Sequence, residues 1–354
     1  MNSSILPFLL LLFFISAAAP AAAFKFPIKN PWLDFKNLSG CHLGENRQGV
    51  AHLKAYLNHF GYLPANDSRS NFTDSFDTIL EAAIAAYQRN FRLDVTGDLD
   101  APTVEQLITP RCGVPDIITN ATSSALRGRN LYSYFDGTPT WPPKKTQLKY
   151  AITATSAVQI NVARLKVVFQ RAFARWAAVT TLAFEETESA WEADITIGFY
   201  RGSHGDEDDF DGPLGTLAHA FSPTDGRFHL DAAEAWVAEG DVADASSDAA
   251  VDLESVAVHE IGHLLGLGHS LAPEAIMYPT LRTKTRKVEL TTDDVEGIQS
   301  LYGTNPDFKG VAPSASSPET NAAVPAHGLT AGAAWMGREV SCILAGLVIG
   351  LLLL

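Results

Sequence analysis

Residues 259–269 read His-Glu-Ile-Gly-His-Leu-Leu-Gly-Leu-Gly-His, and no other stretch limits the fold so strongly. On an α-helix, His259 and His263 stand one turn apart on one face, so both imidazoles can aim at one ion. Glu260 lies beside them, placed to take a proton from water. Gly266 can adopt positive φ, which ends the helix and turns the chain so that His269 approaches from another side. Three neutral imidazoles leave a fourth position on a zinc ion open, the arrangement of a catalytic site. Zinc lowers the pKa of water to about 7 and polarises a scissile carbonyl, and Glu260 is then the general base.

The charge pattern adds a second constraint. The chain carries a formal net charge of −14, which argues against a nucleic-acid partner. Between Arg201 and Glu254 fourteen carboxylates face only Arg201 and Arg227, so that segment alone holds twelve of the fourteen net negative charges. Such a concentration repels itself unless a cation neutralises it. Bound calcium and a solvated acidic surface both satisfy the sequence at this point.

With 354 residues, 46% hydrophobic and 19% charged, the chain is globular and long enough for two modest domains plus processing segments. Residues 1–23 join the apolar run Ile5–Ile15 to a small-residue stretch, the pattern of a secretory signal peptide. Four acceptor sequons, at Asn37, Asn66, Asn71 and Asn120, agree with glycosylation in a secretory pathway. Residues 304–339 are rich in Pro, Ser and Ala and read as a stalk and spacer. Residues 340–354 form an uncharged apolar tail ending in four leucines, suited to GPI attachment and removal, with Asn321 or Gly328 as attachment candidates. A plain C-terminal transmembrane anchor is the alternative.

Between these ends, helical spacing recurs from Val50 to Phe60, from Phe76 to Tyr87 and from Asp100 to Leu107, which predicts a three-helix bundle over residues 47–109. From Leu131 the pattern becomes mixed. A strand is expected at Leu148–Ile152, a long amphipathic helix from Val162 to Trp176, and short strands at Leu182–Phe184, Ile195–Phe199, Leu217–Phe221 and Phe228–Leu230. A second helix is expected over about Ala249–Leu265, and a third from Thr291 or Thr292 to Gly303. Residues 131–303 are therefore an α+β domain, preceded by a helical segment at 24–130.

After His269 comes Ala275-Ile-Met277-Tyr-Pro279, and at these residues the sequence resembles the metzincins, whose zinc motif is followed by a Met-containing turn beneath the metal. The segment Pro110-Arg-Cys112-Gly-Val-Pro-Asp116 (residues 110–116) resembles the cysteine switch of matrix metalloproteinases. A Cys112 thiolate would fill the open zinc position and hold the enzyme latent, with Arg111 and Asp116 able to pair and hold its path. A Cys41–Cys112 disulfide is the alternative. The same resemblance implies a structural zinc at His204, Asp206, His219 and His229. It also implies calcium at Asp211, Asp231 and Glu234, with carbonyls from Gly212, Leu214 and Thr216. The loop between His219 and His229 is short, which puts a second calcium site at Asp194 in doubt. The likeness runs from about Cys41 to Gly303 and is closest to the plant-type matrix metalloproteinases; the bundle also resembles peptidoglycan-binding modules.

The expected protein is a monomeric, GPI-anchored zinc endopeptidase on the outer face of the plasma membrane. It is made as a zymogen and acts on extracellular proteins, with two zinc ions, at least one calcium ion and a preference for hydrophobic P1′ residues. A cell-wall glycan-binding module attached to an inactive metal-bound domain is the alternative.

Overall fold

Residues 30–63, 72–117 and 131–310 are described in a computed structural model of the chain. The signal segment, Asn66, Asn71, Asn120, the connector to Asn130, the stalk beyond Gly310, Asn321, Gly328 and the apolar tail lie outside the described residues. Among the described residues no helix is long and apolar enough to cross a membrane. Asn37 is exposed.

The N-terminal bundle forms where the periodicity places it. Helix α1 spans Val50–His59, α2 spans Thr78–Asn90 and α3 spans Ala101–Leu107. Asp77 caps α2 by accepting the Leu80 N–H at 2.9 Å, and Asp100 caps α3 through the Thr103 N–H at 2.9 Å, satisfying donors that have no partner within the helix. Their apolar faces meet around Leu53, Leu57, Leu80, Ile84, Tyr87 and Leu107. A 3-10 turn at Leu33–Leu38 adds Trp32, Phe35 and Leu38 to the same core, so the bundle begins well before the expected residue 47. Six residues are too few to show a period, which is why the turn escapes sequence reading. Cys41 is buried in this core and Cys112 elsewhere, both as free thiols, so the disulfide alternative is not formed.

The second domain is built on a six-stranded sheet. Its strands are β1 (Arg111–Cys112), β2 (Gln147–Ala154), β3 (Ala183–Glu186), β4 (Ile195–Tyr200), β5 (Thr216–Ala220) and β6 (Arg227–Asp231), in the order β1-β5-β6-β4-β2-β3. Only β5 and β6 pair antiparallel. Helix α4 (Val162–Val179) buries Leu165, Phe169, Ala172, Phe173 and Trp176, one face at helical spacing. The β7 strand (Ala235–Val237) pairs with β8 (Ala250–Asp252), and helix α5 spans Leu253–Leu264.

The predicted start of that helix at Ala249 is therefore corrected. Residues 250–252 are extended, and Asp252 caps α5 by accepting the Ser255 N–H at 2.8 Å. Helix α6 (Thr292–Tyr302) opens on a capping box between Thr291 and Asp294.

The acidic segment is neutralised partly from a distance. Glu254 is buried and accepts from Arg171 at 2.7 Å, Arg175 at 3.1 Å and Arg286 at 2.8 Å, while Arg286 also reaches Asp252 at 2.9 Å. All three of these cations lie outside the segment in sequence, so local charge counting could not see them.

Every residue of α5 is buried, and Gly262 shows how tight its surroundings are. A Cβ there would strike the Met277 sulfur and approach Trp176 to 3.1 Å. Gly262→Ala is accordingly expected to destabilise the fold by about 1–3 kcal/mol through overpacking, read as a lowered melting temperature. An unchanged melt would show that Met277 yields freely.

Candidate active site

Helix α5 sets His259 and His263 one turn apart, as the spacing requires. His259 Nδ1 lies 2.7 Å from the Ile276 carbonyl and His263 Nδ1 2.8 Å from the Leu267 carbonyl. A carbonyl only accepts, so both Nδ1 atoms carry the proton and both Nε2 atoms present lone pairs. Gly266 then turns the chain at φ 102°, and Ser133 Oγ donates to the His269 carbonyl at 2.7 Å. His269 Nδ1 donates to Asp116 Oδ1 at 2.8 Å, which leaves its Nε2 bare, buried and without a partner.

Those Nε2 atoms converge. His263 Nε2 is 3.1 Å from His259 Nε2 and 3.4 Å from Cys112 Sγ. The four ligand atoms of Cys112, His259, His263 and His269 all lie within 4.8 Å of one another. Burial holds the His259 and His263 imidazoles well below their ordinary pKa, so protonation does not relieve the facing lone pairs. Burial, followed by Glu260, pushes the Cys112 thiol well up, so a thiolate here requires a cation. A zinc ion satisfies all four atoms, and the residues present fit it.

Cys112 reaches this point because the prosegment is stitched into the second domain. Strand β1 lies parallel to β5, with the Arg111 N–H on Gly215 O at 3.1 Å and the Gly113 N–H on Ala218 O at 2.8 Å. On its other side, the Cys112 N–H donates to Pro279 O at 2.9 Å and the Leu281 N–H donates to Pro110 O at 3.0 Å. A Cβ at Gly113 would come within 2.7 Å of the Thr216 methyl, so the path tolerates no side chain there.

Arg111 is fully buried, 2.6 Å from Asp116, and its guanidinium lies 3.6 Å from the centre of the Phe60 ring. Tyr62 donates to Asp116 Oδ2 at 2.7 Å. Burial pushes the Asp116 carboxyl up, but Arg111 and His269 together outweigh it and hold the group well below the carboxylate range. The pairing of Arg111 with Asp116 is expected from the sequence; the parts played by Phe60, Tyr62 and the His269 contact are not. No local signal marks them, because they lie on different elements.

Glu260 sits next to the convergence point. Both of its carboxylate oxygens are buried without a hydrogen-bond partner, and burial pushes the carboxyl up to about 8. A small pocket of about 20 Å³ lies beside it, lined by Cys112, His259, Leu217, Val256, Tyr278 and Leu281 among others. Met277 is buried against Gly262 of α5. Its N–H and that of Ile276 donate to the two oxygens of Asp294, at 3.0 and 2.9 Å, so the residue that caps α6 also shapes the methionine turn.

A second group forms on β5 and β6 and the loop before them. Ligand atoms of His204, Asp206, His219 and His229 also lie within 4.8 Å of one another, with Asp206 Oδ2 at 3.1, 3.0 and 2.7 Å from the three imidazoles. Nearby, the carboxylates of Asp211, Asp231 and Glu234 surround the loop from Gly212 to Thr216. The Thr216 N–H donates to Asp211, that of Gly212 to Asp231 and that of Leu214 to Glu234. One Glu234 oxygen is buried without a partner, and burial pushes that carboxyl up to about 9. Asp194 is engaged by Lys145 and by the Lys149 N–H at 2.9 Å, away from this loop.

Comparison with known proteins places these features. A family model described as matrixin matches residues 140–303, and one described as a putative peptidoglycan binding domain matches residues 46–107. The metalloendoproteinase 2-MMP of Arabidopsis thaliana is 51% identical over 321 residues, covering 82% of this chain and 84% of its own. Metalloendoproteinase 1 of Glycine max is 45% identical over 296 residues, covering 83% and 95%. Neutrophil collagenase of Homo sapiens is 37% identical over 252 residues, covering 70% of this chain and 49% of its own.

Proposed function

The chain belongs to the matrixin family, zinc endopeptidases made with a propeptide, and from that premise we propose that it is a latent cell-surface protease controlled by Cys112. The observation that carries this reading is the meeting of three bare imidazole nitrogens and one thiol beside a partnerless carboxylate.

His259, His263 and His269 hold the zinc, and Cys112 closes its fourth position in the zymogen. When bound, zinc supplies Lewis acidity toward the scissile carbonyl and lowers the pKa of water. Glu260 takes the proton from the attacking water and delivers it to the departing amine. The apolar walls formed by Leu217, Val256 and Leu281 favour a hydrophobic P1′ side chain, and extracellular proteins are the substrates.

The helical bundle serves latency in this reading. The end of α1 presents Phe60 and Tyr62 to Arg111 and Asp116, so the bundle clamps the switch from behind. Secretion, the GPI anchor and glycosylation rest on the terminal segments and sequons read in the sequence. Release of the protein from cell membranes by a phosphatidylinositol-specific phospholipase supports the lipid anchor, and retention refutes it. The catalytic reading is tested by zinc stoichiometry together with hydrolysis of a peptide library after thiol modification; a chain that holds no zinc or cleaves no peptide contradicts it.

His204, Asp206, His219 and His229 supply four ligands, a closed structural zinc site with no position for substrate. Calcium at Asp211, Asp231 and Glu234 compensates the buried carboxylates. Chelating calcium while zinc is buffered is expected to lower the melting temperature, because a ligand at a hundredfold excess over Kd stabilises the native state by about 2.7 kcal/mol. An unchanged melt with calcium demonstrably removed favours the acidic-surface alternative.

A further inference from the structure

The three zinc-site histidines are not anchored alike. His259 and His263 each donate Nδ1–H to a backbone carbonyl of the second domain itself, Ile276 and Leu267. His269 donates instead to a side chain of the prosegment, Asp116 Oδ1 at 2.8 Å, and both groups are buried. Asp116 is held for this contact by Arg111 at 2.6 Å and by Tyr62 at 2.7 Å, so its carboxylate is fixed from both sides. An outer carboxylate on a metal-bound imidazole fixes its tautomer and orientation and raises its basicity.

We propose that Asp116 is a positioning residue for His269, so that the prosegment has a second function: it retains zinc, independently of the Cys112 thiol. The proposal rests on the assignment of zinc to His259, His263 and His269. Removing the prosegment takes away the fourth ligand and also the acceptor on the third histidine, whose Nδ1–H then passes to water. The zymogen is therefore the tight-binding form of the protein, and maturation loosens the metal at one ligand in particular.

The test uses the full-length, zinc-loaded protein carrying Cys112→Ser, which removes the thiolate contribution. Zinc release to an excess of a chromogenic chelator is followed in time. Asp116→Ala is expected to release zinc about 10–100-fold faster than this parent, the usual effect of deleting an outer partner. Arg111→Gln removes one of the two groups that fix the carboxylate but leaves it, still held by Tyr62, facing His269, so release is expected to accelerate clearly less than in Asp116→Ala. Asp116→Asn keeps an oxygen that accepts from Nδ1–H and should lie near the parent.

Nitrogen-15 NMR supplies an independent signature. An Nδ1–H resonance of His269 protected from exchange is expected in the parent and lost in Asp116→Ala. Equal acceleration by Asp116→Ala and Arg111→Gln would overturn the proposal, since Asp116 would then only hold the loop. So would release indifferent to Asp116→Ala from a zinc-loaded parent whose protected His269 Nδ1–H shows that the prosegment is still seated. A parent that binds no zinc at all refutes the functional reading beneath the proposal, and the proposal falls with it.

Discussion

Glu260→Ala is expected to leave zinc bound at full stoichiometry while peptide hydrolysis by the thiol-activated protein falls by about 10²–10⁴-fold, the range a positioned general base contributes. The geometry separates the two effects. Glu260 lies beside the converging ligand atoms but is not one of them, and both its oxygens lack a hydrogen-bond partner. Truncation removes the proton acceptor and leaves the three imidazoles in place. His263→Ala supplies the contrast: it should cost metal and activity together. Metal analysis beside initial-rate measurements on both variants decides the assignment. Zinc lost from Glu260→Ala, or hydrolysis retained by it, would show that Glu260 is not the general base.

The second large effect is expected at Cys112. The full-length protein should be inactive, and Cys112→Ser or a thiol-modifying reagent should raise hydrolysis before any cleavage of the chain. A serine hydroxyl is a much weaker zinc ligand than a thiolate, so water regains the fourth position. If the closed switch is populated about 99:1, opening it yields roughly a hundredfold gain. The gain should be incomplete, because backbone bonds from Arg111, Cys112 and Gly113 still seat the prosegment in the cleft. Cleavage in the connector before Leu131 should bring the rest. Denatured, metal-stripped protein should titrate two thiols, from Cys41 and Cys112. A serine variant as inactive as the unmodified protein, with zinc present and the chain intact, would show that backbone pairing alone enforces latency.

How far these sites are legible in the sequence depends on whether their geometry is local. His259 and His263 can be placed because helical spacing is a property of a few adjacent residues. Gly266 can be placed because only one residue type turns the chain there cheaply, and it does so at φ 102°. The caps at Asp77, Asp100 and Thr291 are local in the same sense. The start of α5 is not legible, because residues 250–252 suit either conformation and only pairing with β7 makes them a strand. The acidic segment invites calcium, yet Glu254 is neutralised by Arg171, Arg175 and Arg286, two of which sit on a helix more than seventy residues earlier.

The sequence by itself therefore determined the helix that carries His259 and His263, the turn to His269, the residue types around Cys112 and the mixed architecture that carries them. Tertiary structure decided that the prosegment enters the sheet as β1, that Phe60 and Tyr62 brace Arg111 and Asp116, and that Asp116 holds His269 across 153 residues of chain. The physical reason is one of range. Spacing and capping are settled by bonds between near neighbours, whereas a buried carboxylate finds its partners only after two domains have packed and excluded the water that would otherwise have solvated it.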